Sequence, residues 1–143
     1  MYETILLPTD GSDGAATALE HAIEEANAHD AQLHVLAVTD RRVFLAADVD
    51  EKDEVKAELA EEANAAVDEL ATRASDSGLE VTTAVRDGVP HRQILDYADE
   101  AGVDLVVLGT HGRTGRERRL NLGSTTERVV KTADRPVLVV NIG

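Results

Sequence analysis

Five short apolar runs alternate with longer stretches whose apolar residues recur every three to four positions, and this alternation limits the chain to few architectures. "ETILLP" (3–8) ends in proline and reads as a buried strand. From Gly14, the residues Ala15, Ala18, Leu19, Ala22, Ile23 and Ala26 lie on one helical face, with Ser12 or Asp13 placed to cap it. "QLHVLAV" (32–38) gives a second strand, and 39–50 reads as an irregular connection. A long acidic helix follows, with Val55, Leu59, Ala63, Ala66, Val67, Leu70 and Ala74 on one face and Gly78 as its stop. "LEVTTAV" (79–85), a helix over Val89 to Glu100, "VDLVVLG" (103–109), a helix from Ser124 to Ala133 and "PVLVVN" (136–141) complete the order. Strands separated by helices of this length make βαβ units. Unbroken runs such as "LVVL" suit strands covered on both faces. The expected fold is a single α/β domain over 1–143, a doubly wound parallel five-stranded sheet. Ligands of such sheets bind beyond the carboxyl ends of the strands, where strand order reverses. The loops after strands one, two and four are therefore the places to look for function.

Composition narrows the chemistry. Aromatics are 2% of the 143 residues, so Val, Leu, Ile and Ala must build the core. There is no cysteine, which excludes disulfides and thiolate metal sites. "MYETILLPTDGS" has no basic n-region or long apolar h-region, and no apolar run approaches a membrane span, so the chain reads as a soluble cytoplasmic protein. The formal net charge is -14, with lysine only at 52, 56 and 131. Scarce lysine with abundant Asp and Glu resembles the composition of proteins from salt-loving archaea. Such a charge disfavours nucleic acid and anionic membranes as partners.

Against that acidity stands "GTHGRTGRERRLNLGSTTER" (109–128). It holds Arg113, Arg116, Arg118, Arg119 and Arg128 against Glu117 and Glu127, a local balance of +3, five minus two. Glycines at 109, 112, 115 and 123 let a backbone approach a ligand closely. "STTE" (124–127) has the form of a capping box, with Ser124 as N-cap and Glu127 at N3. A helix opening there presents N–H groups and a positive dipole end. A strand, a basic glycine-rich loop and a capped helix together point to an anion site, with a polyphosphate as the anion. No lysine follows the glycines as in a Walker A loop, and the first strand is not followed by G-x-G-x-x-G.

"ILLPTDGS", "GTHGRTG", "LGSTTERVV" and "RPVLVV" occur in the order found in the universal stress protein family, which the chain resembles over nearly its whole length. Nucleotide-binding members of that family carry G-x-x-G, nine residues, then G-[ST]. Here Gly109 to Gly112 and Gly123-Ser124 match, but ten residues lie between, Arg113 to Leu122. The resemblance implies that ATP sits where the loops after strands one and four meet. Pro8, Thr9 and Asp10 would lie beside the adenosine moiety and Val38 near adenine, while Gly109, Gly112, Arg113, Gly123, Ser124 and Thr125 would hold ribose and phosphates. It also implies a homodimer paired through the last strand, residues 136–141, and a role in stress tolerance.

The individual residues admit plainer readings. Asp10 can cap the turn into the first helix; beside phosphates it would otherwise have to accept an N–H or hydroxyl, or hold Mg²⁺ through water. His111 reads as a loop residue, since the five histidines show no His-x-x-x-His spacing. The acidic run 48–62 reads as a solvated helix face. No general base, nucleophile or Walker-type lysine is visible, so the chain reads as a binding module rather than an enzyme, and the resemblance implies ATP as its ligand and a stress or signalling role through nucleotide occupancy. A slow ATP hydrolase or nucleotide-transferring enzyme is the alternative. A receiver domain would need a basic residue after strand five, and a flavodoxin would need aromatics around its flavin. ADP and AMP satisfy the sequence as well as ATP.

The charge pattern yields a test. Twenty-eight carboxylates against fourteen basic groups repel one another until salt screens them, and at molar salt the screening length falls to about 3 Å. The melting temperature should rise steadily from low to molar KCl. A melting temperature that stays flat or falls across the same series contradicts the salt-adapted reading.

Overall fold

A computed structural model describes residues 1–12, 14–45, 51–110 and 122–142. The strands are β1 (Thr4–Thr9), β2 (Gln32–Asp40), β3 (Val81–Gly88), β4 (Leu105–Gly109) and β5 (Val137–Val140). The helices are α1 (Gly14–His29), α2 (Arg41–Leu45), α3 (Lys52–Asp76), α4 (Pro90–Ala101) and α5 (Ser124–Thr132). The sheet order is β3-β2-β1-β4-β5, and every pairing is parallel. This is the expected doubly wound α/β fold. From β1 the chain winds outward through β2 and β3 to one edge, then returns to β4 on the other side of β1. Strand order therefore reverses between β1 and β4, and a crevice opens at their carboxyl ends.

The central strand shows why the runs are continuous rather than alternating. Every residue of β1 is buried, and Ile5, Leu6 and Leu7 are fully enclosed. Ile5 and Leu7 pack with Leu33, Val35 and Val107 against Leu19 of α1 and Val67 and Leu70 of α3. Leu6 points to the other face, with Leu36, Val106 and Leu108, against Ile94 and Ala98 of α4 and Val129 of α5. Successive strand side chains face opposite sides, so helices on both sides make every position apolar.

Helix ends follow local chemistry. Gly78 (φ 86°) and Gly102 (φ 65°) adopt the left-handed conformation that ends α3 and α4, with open space where a Cβ would stand. Conformation rather than crowding selects glycine there. After Gly102, the Val103 N–H donates to the Ala98 carbonyl at 2.9 Å. Arg135 then staples this corner, donating from one guanidinium nitrogen to the carbonyls of Ala98 and Val103, both at 2.8 Å, and pairing with Asp99. Between α4 and β2, Tyr97 and His34 share a 2.6 Å hydrogen bond. Arg86 lies 4.8 Å over the Tyr97 ring and pairs with Glu100. Burial holds the His34 pKa below its ordinary value and raises that of Tyr97. This cluster fixes α4 against β2 and β3, and so fixes where the start of α4 stands.

Two local expectations change. The stretch 39–50 is not wholly irregular: β2 continues to Asp40, and α2 occupies Arg41–Leu45. The capping box is not formed. Gly123 is the N-cap of α5, Ser124 is its first residue, and no side chain caps it. The Glu127 carboxylate instead accepts from Lys131 Nζ at 2.7 Å, four residues on. That i,i+4 pair competes successfully with the reach back to the helix start. At α1 the Ala15 N–H donates to the backbone carbonyl of Ser12 at 3.1 Å, while Asp13 lies outside the described residues.

Candidate nucleotide-binding site

A cavity of about 400 Å³ opens at the carboxyl ends of β1, β2 and β4, at the strand-order reversal. Its floor and walls come from segments far apart in sequence, with Pro90 and Ile94 of α4 among them. The β1–α1 turn supplies Pro8, Thr9, Asp10 and Ser12; β2 and its extension supply Val38, Asp40 and Arg42; β4 supplies Leu108 and Gly109; and the start of α5 supplies Gly123, Ser124 and Thr125. The structure thus brings together eight of the ten residues singled out from sequence: Pro8, Thr9, Asp10, Val38, Gly109, Gly123, Ser124 and Thr125. Gly112 and Arg113 lie outside the described residues, as do His111, Arg116, Arg118 and Arg119. The position of the extra residue between Gly112 and Gly123 falls in the same segment.

The turn after β1 is built by its own side chains. The Thr9 hydroxyl accepts the Gly11 N–H at 3.0 Å, and Asp10 Oδ1 accepts the Ser12 N–H at 2.9 Å. These bonds turn the chain sharply from the sheet into α1. The turn-capping reading of Asp10 is thereby realised for one carboxylate oxygen. Among the described residues no group of three or more His, Cys, Asp or Glu side chains is placed to hold a metal.

The β4–α5 side is held differently. The Gly123 N–H donates to the Thr110 carbonyl at 2.7 Å, which ties the residue before α5 to the one after β4. Thr126, buried in the first turn of α5, donates its hydroxyl to the Gly109 carbonyl at 2.8 Å. The start of α5 is therefore locked to the end of β4, and Ser124 and Thr125 stand in the first turn, whose N–H groups have no intrahelical acceptor. Gly123 itself is not one of the open donors. With φ -60° and ψ 152° it has an ordinary extended backbone. What it contributes to the cavity wall is the lack of a side chain, not an unusual conformation or a free N–H.

Two contributors were not legible in sequence. Leu59, Glu62 and Ala63 of the 25-residue helix α3 line the cavity. Leu59 and Ala63 do follow the apolar period of α3, but periodicity does not separate a core-facing turn from one facing a cavity. Arg42 is the second, and it sits in a segment without helical or strand periodicity. It donates to Asp40 from Nε at 2.9 Å and from a terminal nitrogen at 2.5 Å. Asp40 Oδ1 also accepts the Arg42 backbone N–H at 3.0 Å. The Arg42 side-chain hydrogen bonds hold the Asp40 carboxyl below the usual carboxylate range.

Among the described residues no helix is long and apolar enough to cross a membrane. The family model for the universal stress protein family matches residues 1–141. Universal stress protein MJ0531 of Methanocaldococcus jannaschii is 40% identical over 141 residues, covering 98% of this chain and 82% of its own. The solved structure of hypothetical protein MJ0577, from the same organism, superposes with a TM-score of 0.89 at 35% identity, over 100% of this chain and 98% of that one. A universal stress protein solved in complex with cAMP matches with a TM-score of 0.72 at 25% identity, over 99% and 98% of the two chains. The fold, the order of the motifs and the length matched agree: the chain belongs to the universal stress protein family.

Proposed function

We propose that this chain is an adenine-nucleotide-binding module that acts in a stress response through nucleotide occupancy, with ATP as its ligand. The observation that carries this reading is the cavity at the β1/β4 reversal, walled on one side by the Thr9–Ser12 turn and on the other by the start of α5. A helix N-terminus favours negative charge, and its first-turn N–H groups suit phosphate oxygens. Ser124 and Thr125 would face the phosphates there, with Gly109 and Gly123 leaving room for them. Gly112 and Arg113 would complete the phosphate side. Val38, half-buried and packed on the α4-side core, offers an apolar surface for the base, while Pro8, Thr9 and Asp10 would border the ribose. Because one Asp10 oxygen already serves the turn, a Mg²⁺ carried by the phosphates would meet this carboxylate through water. The relative solved with cAMP lends weight to an adenine nucleotide.

Titration calorimetry of ATP and AMP in high KCl tests the phosphate cradle. Gly123→Val keeps an allowed backbone but places a side chain at the mouth of α5. Losing one or two charge-assisted bonds costs about 1.5–3 kcal/mol each, or roughly tenfold or more in ATP affinity. AMP, lacking the outer phosphates, should lose less. Arg119→Ala should matter less than Gly123→Val, because molar salt screens exposed charge more than contact hydrogen bonds. A folded Gly123→Val that binds ATP like the parent contradicts the cradle.

The sheet edge supports a homodimer through residues 136–141. β5 ends the strand order, and Val137, Leu138 and Val139 are only half-buried. An open edge of this composition is protected by pairing. Light scattering in high salt should give twice the monomer mass at micromolar concentration; monomer alone across that range contradicts the pairing.

A further inference from the structure

Arg42 is the only Lys or Arg among the described residues that line the cavity, where the carboxylates of Asp10, Asp40 and Glu62 also stand. Its place sets what it can touch. It follows the end of β2, whereas α5 opens after β4, and β1 lies between these strands. Neighbouring strands are about 4.8 Å apart, so Arg42 and the α5 terminus flank the cavity from strand ends about 10 Å apart. If phosphates lie at α5, Arg42 stands at the opposite, base end, beside Val38.

Its electrostatic state points the same way. Two side-chain bonds to Asp40 make a compact ion pair whose net charge is zero. A neutralised guanidinium is a poor attractor for a polyphosphate. Its planar face still suits an aromatic ring, and the Asp40 bonds hold that plane at the mouth although the side chain is 72% exposed. No Phe, Tyr or Trp is among the described lining residues, so aliphatic side chains and this guanidinium are the surfaces those residues offer to a flat base.

We propose that Arg42 is a base-contacting specificity residue of the nucleotide site, lying against the face of the purine, and that Asp40 is the positioning residue that holds it there. The proposal rests on the nucleotide-binding reading above and assigns a group to the base end of that site.

Calorimetry with ATP, AMP and adenosine on the parent, Arg42→Ala, Arg42→Lys, Asp40→Asn and the Asp40→Asn/Arg42→Ala double variant tests it. Arg42→Ala should weaken all three ligands by the same factor, about two- to fivefold for a contact at an exposed site. That loss should persist in molar KCl. Arg42→Lys should not restore affinity, because an ammonium has no plane to stack. Asp40→Asn should weaken adenosine in the parent background and have no further effect once Arg42 is alanine. A loss that grows with the number of phosphates makes Arg42 a phosphate ligand and overturns the proposal. Unchanged binding by Arg42→Ala overturns it while leaving the nucleotide reading intact. A parent protein that binds none of the three ligands rejects the nucleotide reading, and this proposal with it.

Discussion

The backbone bonds of Thr110 hold the candidate site in register with the sheet. Its N–H donates to the Val140 carbonyl of β5 at 2.9 Å, and its carbonyl accepts the Gly123 N–H at 2.7 Å. Its hydroxyl accepts the Ile142 N–H at 3.1 Å. One residue thus ties the end of β4 to β5, to the C-terminal segment and to the N-cap of α5. A chain leaving a buried strand must satisfy its polar backbone groups, and here those bonds also set where the next helix begins. The Thr126 hydroxyl bond to Gly109 adds a second tie one turn into α5. The two ties hold the first turn of α5 at the cavity wall.

On the proposed reading, that arrangement would let an acidic chain offer an anion site. The described cavity wall carries three carboxylates, and its guanidinium is matched by Asp40. Side-chain charge from these residues does not attract a phosphate. Oriented backbone dipoles remain, and they act at contact range, where molar salt screens least. The arginines at 113, 116, 118 and 119 lie outside the described residues, and in the sequence they reverse the local sign of charge. On the proposed reading, recognition would divide between this basic stretch and a helix terminus fixed by Thr110 and Thr126.

Most of the fold was legible because one physical signal dominates it. Continuous apolar runs such as "LVVL" suit strands with helices over both faces, and the glycines at 78 and 102 mark conformations that other residues resist. The cavity position followed from topology alone. Local bonds were less legible, since a motif can be written in sequence without forming. "STTE" has the letters of a capping box, yet Glu127 bonds Lys131 and Gly123 takes the N-cap position. Arg42 and the α3 wall escaped for a different reason. Their part in the cavity depends on where α2 and α3 stand against the strand ends, which no periodicity within 39–63 reports.

The central claim is that an adenine nucleotide occupies the crevice at the β1/β4 reversal. Amide hydrogen exchange in molar KCl, with and without saturating ATP, tests it most directly. The account predicts slower exchange confined to the β1–α1 turn at 9–12, the β2–α2 junction at 38–42 and the first turn of α5 at 124–126. The opposite end of the sheet, at 78–81 and 102–104, should be unchanged. Protection centred on that opposite end, or no ligand-dependent protection at the α5 terminus, would contradict the account.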